Sequence, residues 1–249
     1  MRIKRNVLFI MIGIFIIISI VFLFIKDNYI MLGYFTKVKI NGDEIIVYDD
    51  NNDLSNINGK VLFNNEFIDC NIRKEDKNGI NYYTYVNSNG DILSFSNNLV
   101  FSVTGNIDVK LGDYSFLDTI NKTDTENLNY IKTENNIIGE TNYYKKVEMD
   151  LDNDGNKETI YSVQLLDNEY NIYSFVYLYD GESISVISKT VGSLEKPIRD
   201  TEKLAYIADL NNDDIYEIIT SKSTGDNLPT YANVYEYDNG EYIEIERKE

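Results

Sequence analysis

The chain reads as an all-β fold carried on a single N-terminal transmembrane helix, with a β-rich region followed by two similar repeats. Three observations predict this. A run of 19 residues without a charge opens the chain. The 21 Tyr and 11 Phe, set among abundant Ile and Val, favour strands over helices. The C-terminal part of the sequence also matches itself at a constant offset of 59 residues, the mark of a repeated structural unit.

The apolar run covers residues 7–25, VLFIMIGIFIIISIVFLFI. At ~1.5 Å per residue it makes about 28 Å of helix, enough for a hydrocarbon core of roughly 30 Å. Arg2, Lys4 and Arg5 precede it, while Lys26 and Asp27 follow. Positive charge on the N-terminal side keeps residues 1–6 in the cytoplasm as a short tail and sends everything after Ile25 outside. A cleaved signal peptide would have a shorter apolar core and a small-residue cleavage site. Here the run ends FLFIKDNY, and the sole cysteine, Cys70, is far from a lipoprotein position. The expected location is therefore the cell membrane, single-pass, with the lipid bilayer contacted through residues 7–25 and a juxtamembrane stalk at 26–36.

Composition then excludes whole classes of chemistry. Four of the 23 basic residues lie in the first 26 positions and none of the 41 acidic ones does, so the remainder carries 41 acidic against 19 basic side chains. A net charge of about −22 argues against nucleic acid or anionic lipid as a direct partner. The chain has no histidine, which removes Ser-His-Asp and Cys-His catalysis and histidine-ligated zinc. One cysteine permits no internal disulfide. Hard cations held by oxygen remain open.

From Lys37 to about Lys110 short apolar runs alternate with Asn, Asp and Gly: KVKINGDEIIVYDD, GKVLFNNEFIDCNI, INYYTYVNSNGDILSF and NLVFSVTGNIDVKL. Asn41-Gly42, Asn78-Gly79 and Asn89-Gly90 are turn dipeptides, and Tyr83-Thr84-Tyr85-Val86 alternates as a half-buried strand does. Six to eight strands are expected. Residues 111–142 are polar and weakly periodic and form a connector, with a short helix expected to open over Ser115–Ile120. The β-rich region and its connector thus span 37–142, and the two repeats 143–201 and 202–249.

The repeat carries the chemistry. Asp150-Leu-Asp152-Asn-Asp154-Gly155-Asn156-Lys-Glu158 matches Asp209-Leu-Asn211-Asn-Asp213-Asp214-Ile215-Tyr-Glu217. The turn glycines Gly181 and Gly240 stand in the same register. In a tight D-x-[DN]-x-D loop the side chains at positions 1, 3 and 5 converge. Position 7 offers a main-chain carbonyl, and an acid at position 9 closes a shell of the six to eight oxygens that calcium accepts. An EF-hand would need a bidentate Glu at position 12, occupied here by Tyr161 and Thr220, and a helix after the loop. The sequences ETIYSVQLL and EIITS are β-branched instead, which also argues against a dockerin. Asp49-Asp-Asn51-Asn-Asp53 begins similarly but has Ile57 at position 9 and reads as an ordinary turn.

At these residues the chain resembles the FG-GAP/VCBS-type repeat, the calcium-loop blade of integrin-α-like β-propellers and of many bacterial surface proteins, whose motif is D-x-D-x-D-G-x-x-D before an apolar strand. The resemblance implies Ca2+ held by the side chains of Asp150, Asp152, Asp154 and Glu158 with the carbonyl of Asn156. In the second copy it implies Asp209, Asn211, Asp213 and Glu217 with the carbonyl of Ile215. Glu replaces Asp at position 9 in both copies, Asp214 replaces Gly in the second, and the FG and GAP signatures are missing. One carboxylate fewer, and an Asp where the backbone calls for glycine, make the second site the weaker. Two copies fall short of the four blades of a small closed propeller, so two blade-like repeats in an open assembly are expected.

The expectation for function is a membrane-anchored extracytoplasmic binding or scaffold protein with structural calcium, not an enzyme, meeting a cell-wall glycan or a surface protein. The alternatives are a sensory or regulatory extracellular domain of a membrane complex, or a carboxylate-based hydrolase acting on cell-surface glycans.

Overall fold

A computed structural model describes residues 35–41, 44–49, 58–63, 66–77, 80–93, 100–104, 109–194, 200–223 and 230–248. The expected tail, membrane segment and most of the stalk lie outside the described residues, as do residues 50–57 of the upstream acidic turn. No helix among the described residues is long and apolar enough to cross a membrane.

Within that range the molecule is mostly β. The first strands are β1 (Phe35–Asn41), β2 (Glu44–Asp49), β3 (Asn58–Phe63), β4 (Glu66–Lys77), β5 (Ile80–Asn87), β6 (Ile92–Leu93), β7 (Val100–Thr104) and the two-residue β8 (Lys110–Leu111). After the helix Lys122–Glu134 come β9 (Gly139–Met149), β10 (Glu158–Asp167), β11 (Asn171–Tyr179) and β12 (Ile184–Ser193). They are followed by β13 (Thr201–Asp209), β14 (Glu217–Ser223), β15 (Thr230–Asp238), β16 (Glu241–Glu244) and β17 (Arg247–Lys248). These form three open sheets, ordered β17-β2-β1-β7-β3-β4-β5-β6, β12-β11-β10-β9 and β16-β15-β14-β13-β8.

Each sequence repeat is one four-stranded antiparallel meander. Strand β10 pairs in sequence order with β9 and β11, and β14 pairs likewise with β13 and β15. Because side chains alternate between the faces of a strand, neighbouring apolar residues of β13–β15 feed two different cores. Ala208, Ile219 and Val234 face the N-terminal sheet, against Ile45, Leu62, Phe101 and Val103. Ile207, Ile218 and Tyr235 face the first meander, against Val147, Met149, Ile160, Val176 and Leu178. The second meander is thus the middle layer, with apolar residues on both faces of β13–β15.

On the far face of the first meander Tyr144, Tyr161, Val163, Phe175 and Tyr177 receive Leu128 and Ile131 of the helix. Full burial of a large apolar side chain contributes roughly 1.5–3 kcal/mol. The ten buried residues between the two meanders thus make their shared core a principal contributor to stability.

The helix starts later than the sequence suggested. Ser115–Ile120 is not helical, and Leu117 instead makes a bridge to Lys146 on β9. Asn121 is the N-cap: its side chain accepts the Asp124 amide at 2.9 Å while the Asp124 carboxylate accepts the Asn121 amide at 2.8 Å. This reciprocal capping box satisfies two donors that the first turn would otherwise leave open. Asp124 is also buried against Lys146, whose Nζ donates at 3.0 Å, and Tyr161, whose hydroxyl donates at 2.7 Å.

A second buried carboxylate locks the two meanders together at the start of β13. Glu202 accepts hydrogen bonds from Thr190 of β12, Thr220 of β14, and Asn233 and Tyr235 of β15. Burial opposes its ionisation, but hydrogen bonds from Ser188, Thr220, Thr190 and Tyr235 outweigh that and hold the carboxyl below its usual range.

Candidate metal centre

The two acidic loops lie at the opposite end of the meanders from Glu202. The first spans β9 to β10 and the second β13 to β14, so each acid at position 9 is the first residue of a strand. Glu158 pairs with Met149 and Glu217 with Ala208, which fixes the width of each loop.

The loops share each of their main-chain to side-chain hydrogen bonds. In the first, the Gly155 amide donates to Asp150 Oδ2 at 3.0 Å, the Asp154 amide to Asp152 Oδ1 at 3.3 Å, and the Asn156 amide to Asp154 Oδ1 at 2.7 Å. In the second, the Asp214 amide donates to Asp209 Oδ2 at 3.3 Å, the Asp213 amide to Asn211 Oδ1 at 3.2 Å, and the Ile215 amide to Asp213 Oδ1 at 2.9 Å. Each position-9 glutamate reaches back to the amide of position 2: Leu151 to Glu158 Oε2 at 2.8 Å, and Leu210 to Glu217 Oε2 at 2.7 Å. The backbone matches as well. Asn153 and Asn212 have φ of 58° and 60°, and Gly155 and Asp214 have 92° and 65°.

These bonds account for one oxygen of each position-1 aspartate and leave the other bare. Asp150 Oδ1 and Asp209 Oδ1 are both buried without a hydrogen-bond donor, although Asp209 as a whole is only 1% exposed. A buried carboxylate oxygen without a donor costs several kcal/mol unless a cation meets it. In the first loop Asp150, Asp152 and Glu158 bring carboxylate oxygens within 4.8 Å of one another. Asp154 and Asn156 are exposed on the rim, where the Asn156 side chain also donates to Asp154 Oδ2 at 3.1 Å. In the second loop Asp209, Asn211 and Glu217 are buried, Asp213 is exposed and Ile215 is half-buried.

The acids repel one another. Burial raises the Glu158 carboxyl, with smaller contributions from Asp152 and Asp154, against the stabilising amide of Leu151. Glu217 is pushed up to about 8 by burial and by Asp213 and Asp209, with the Leu210 amide opposing. A divalent cation in either loop would cancel that repulsion and meet the bare oxygen at once. Oxygen donors alone suit calcium better than zinc or a transition metal.

Sequence reasoning did not find how close the loops are to each other. The Tyr216 amide donates to the Leu151 carbonyl at 2.9 Å, and the Tyr242 hydroxyl donates to the Tyr216 carbonyl at 3.0 Å. Between the loops lies a cleft of about 310 Å³, lined by Asp113, Glu148, Asp150, Lys157, Asp214 and Tyr216 among others. Nor did it find Lys110, whose Nζ lies 3.1 Å from Asp214 and 3.6 Å from Asp209. No local signal marks that lysine, because strand pairing across about a hundred residues brings it there.

No family model matches the chain, and neither a curated protein nor a solved structure matches it.

Proposed function

We propose that the chain is a membrane-anchored extracytoplasmic binding or scaffold protein whose two C-terminal repeats are blade-like units, each holding a structural calcium ion. The observation that carries this reading is the bare, buried oxygen at position 1, present in both loops among the same set of hydrogen bonds. Asp150, Asp152, Asp154 and Glu158 supply side-chain oxygens to the first ion and Asn156 its carbonyl. Asp209, Asn211, Asp213 and Glu217, with the Ile215 carbonyl, hold the second. The apolar run at 7–25 and its basic N-terminal flank support the anchor and the outward face of the domain. Just outside a membrane the macromolecules on offer are cell-wall glycans and other surface proteins, and these are the partner classes the reading implies.

Thermal melts of the intact chain in detergent test the calcium sites. Free calcium about 100-fold above the dissociation constant adds ~2.7 kcal/mol of stability per site. The transition moves up in calcium relative to chelator, and magnesium substitutes poorly because it resists giving up its water. Superimposable melts in calcium and chelator overturn the reading. Protease added to intact cells tests the topology by digesting the domain and sparing the N-terminal segment.

A further inference from the structure

The second loop has a neighbour that the first lacks. Strand β8 adds to the edge of the second meander, with Lys110 directly across from Asp209 and Leu111 across from Ala208. The Lys110 ammonium then lies 3.1 Å from Asp214 Oδ1 and 3.6 Å from Asp209 Oδ2. It meets Asp209 on the oxygen that already accepts the Asp214 amide, so Oδ1 still has no partner. The lysine side chain is half-exposed while the Asp209 side chain is 1% exposed. Among the described residues the sheet of the first meander ends at β9, whose outer edge carries only the Leu117–Lys146 bridge. Among the described residues no Lys or Arg nitrogen lies within salt-bridge distance of Asp150, Asp152, Asp154 or Glu158.

The same contact explains Asp214. Its φ of 65° is a conformation glycine adopts without strain, and the first loop uses Gly155 there. The aspartate occupies that position as the nearer of the two acceptors of Lys110.

We propose that Lys110 is a tethered counter-cation of the second loop, neutralising it when calcium is absent and opposing calcium when the ion arrives. This rests on reading the loops as calcium sites and adds a difference between them. The first loop is an unopposed structural site. The second takes up a divalent ion beside a built-in monovalent charge and responds to calcium over a higher concentration range. The ammonium sits on the outer oxygen of Asp209 and the ion on the inner one, so both fit at once and the antagonism is electrostatic.

Calorimetric titration of the intact chain with calcium chloride tests this, using an Asp150→Ala background in which only the second event remains. Two charges about 6 Å apart, one of them divalent, interact in a near-aqueous dielectric by roughly a factor of ten in affinity. Lys110→Met therefore tightens the second event about tenfold and leaves the first unchanged when Asp150 is intact. Lys110→Gln, which keeps a polar contact to Asp214 without the charge, does the same, whereas Lys110→Arg stays close to the parent. In chelator Lys110→Met lowers the melting temperature, so the rise on adding calcium becomes larger. A parent chain with no calcium event fails the calcium reading itself. Two events that neither Lys110→Met nor Lys110→Gln shifts overturn the counter-cation alone, as does equal tightening by Lys110→Arg.

Discussion

The two acidic loops have almost the same internal geometry and different surroundings. From position 1 to position 9 they share each main-chain to side-chain bond and the same left-handed residues. Apart from Asn211 in place of Asp152, Asp214 in place of Gly155 and Ile215 in place of Asn156, what differs comes from outside the repeat. Among the described residues the first loop leaves the edge strand of its sheet, β9, whereas the second is flanked by β8 and Lys110. A short motif thus fixes the local hydrogen bonds, while the field in which the site works is set by whichever strand happens to pair alongside.

The strongest way to break this comparison is to remove the bare oxygens one at a time. Asp150→Ala abolishes the tighter calcium event in calorimetry and Asp209→Ala the weaker one. Loss of the tighter event in Asp209→Ala would invert the order of the sites and refute the assigned geometry.

Next in size is a change at the other end of the meanders. Glu202→Ala leaves Thr190, Thr220, Asn233 and Tyr235 without their common acceptor. Unsatisfied buried donors cost about 1–3 kcal/mol each. Denaturant unfolding should show a loss of at least ~3 kcal/mol, equal in calcium and in chelator. A loss seen only in chelator would mean that the two ends are coupled.

The pH dependence sharpens the contrast further. The Glu217 carboxyl holds its proton in the folded state up to about 8, against an ordinary value of 4.5. In chelator its contribution to stability is full below pH 4.5 and falls away as pH rises towards 8, a decline of a few kcal/mol at most. Calcium binds the ionised form and removes the decline. Asp124 and Glu202 act in the opposite sense. Their folded carboxyls lie below the usual range, so the stability they give is present above about pH 4.5 and lost as pH falls through their folded values. Melts carried from about pH 2.5 to 8.5, with and without calcium, separate the two trends, the Asp124 and Glu202 loss below about pH 4.5 and the Glu217 decline above it. A decline that calcium leaves untouched would detach Glu217 from the ion.

The smallest effects are at position 6. Gly155→Ala meets no atom within 4 Å, so its cost is the backbone alone, about 1 kcal/mol at a φ of 92°. Asp214→Gly relieves the same strain but takes the nearest acceptor from Lys110, and the two effects leave stability within about 1 kcal/mol of the parent. Denaturant midpoints in chelator measure both.

Much of this fold was legible before any coordinates. The 59-residue offset became two meanders of matching strand order, with Gly181 and Gly240 both at a φ of 99° in matching turns. Alternation over Tyr83–Val86 fell within β5, and the loops do join strands, as the β-branched residues after Glu158 and Glu217 required. These features are local, set by the two-residue period of a strand and by which residues tolerate a turn. The helix was misplaced because Leu117 is drawn into a bridge with Lys146 of β9, whereas the capping pair that opens the helix is Asn121 and Asp124. The stacking order of the sheets, the return of β17 to pair with β2, the Glu202 cluster and the place of Lys110 beside Asp209 and Asp214 were decided only by tertiary structure. Each depends on which of several exposed edges and apolar faces meet. That choice is made by summed burial and pairing between segments far apart in the chain, and a sequence read in windows does not contain it.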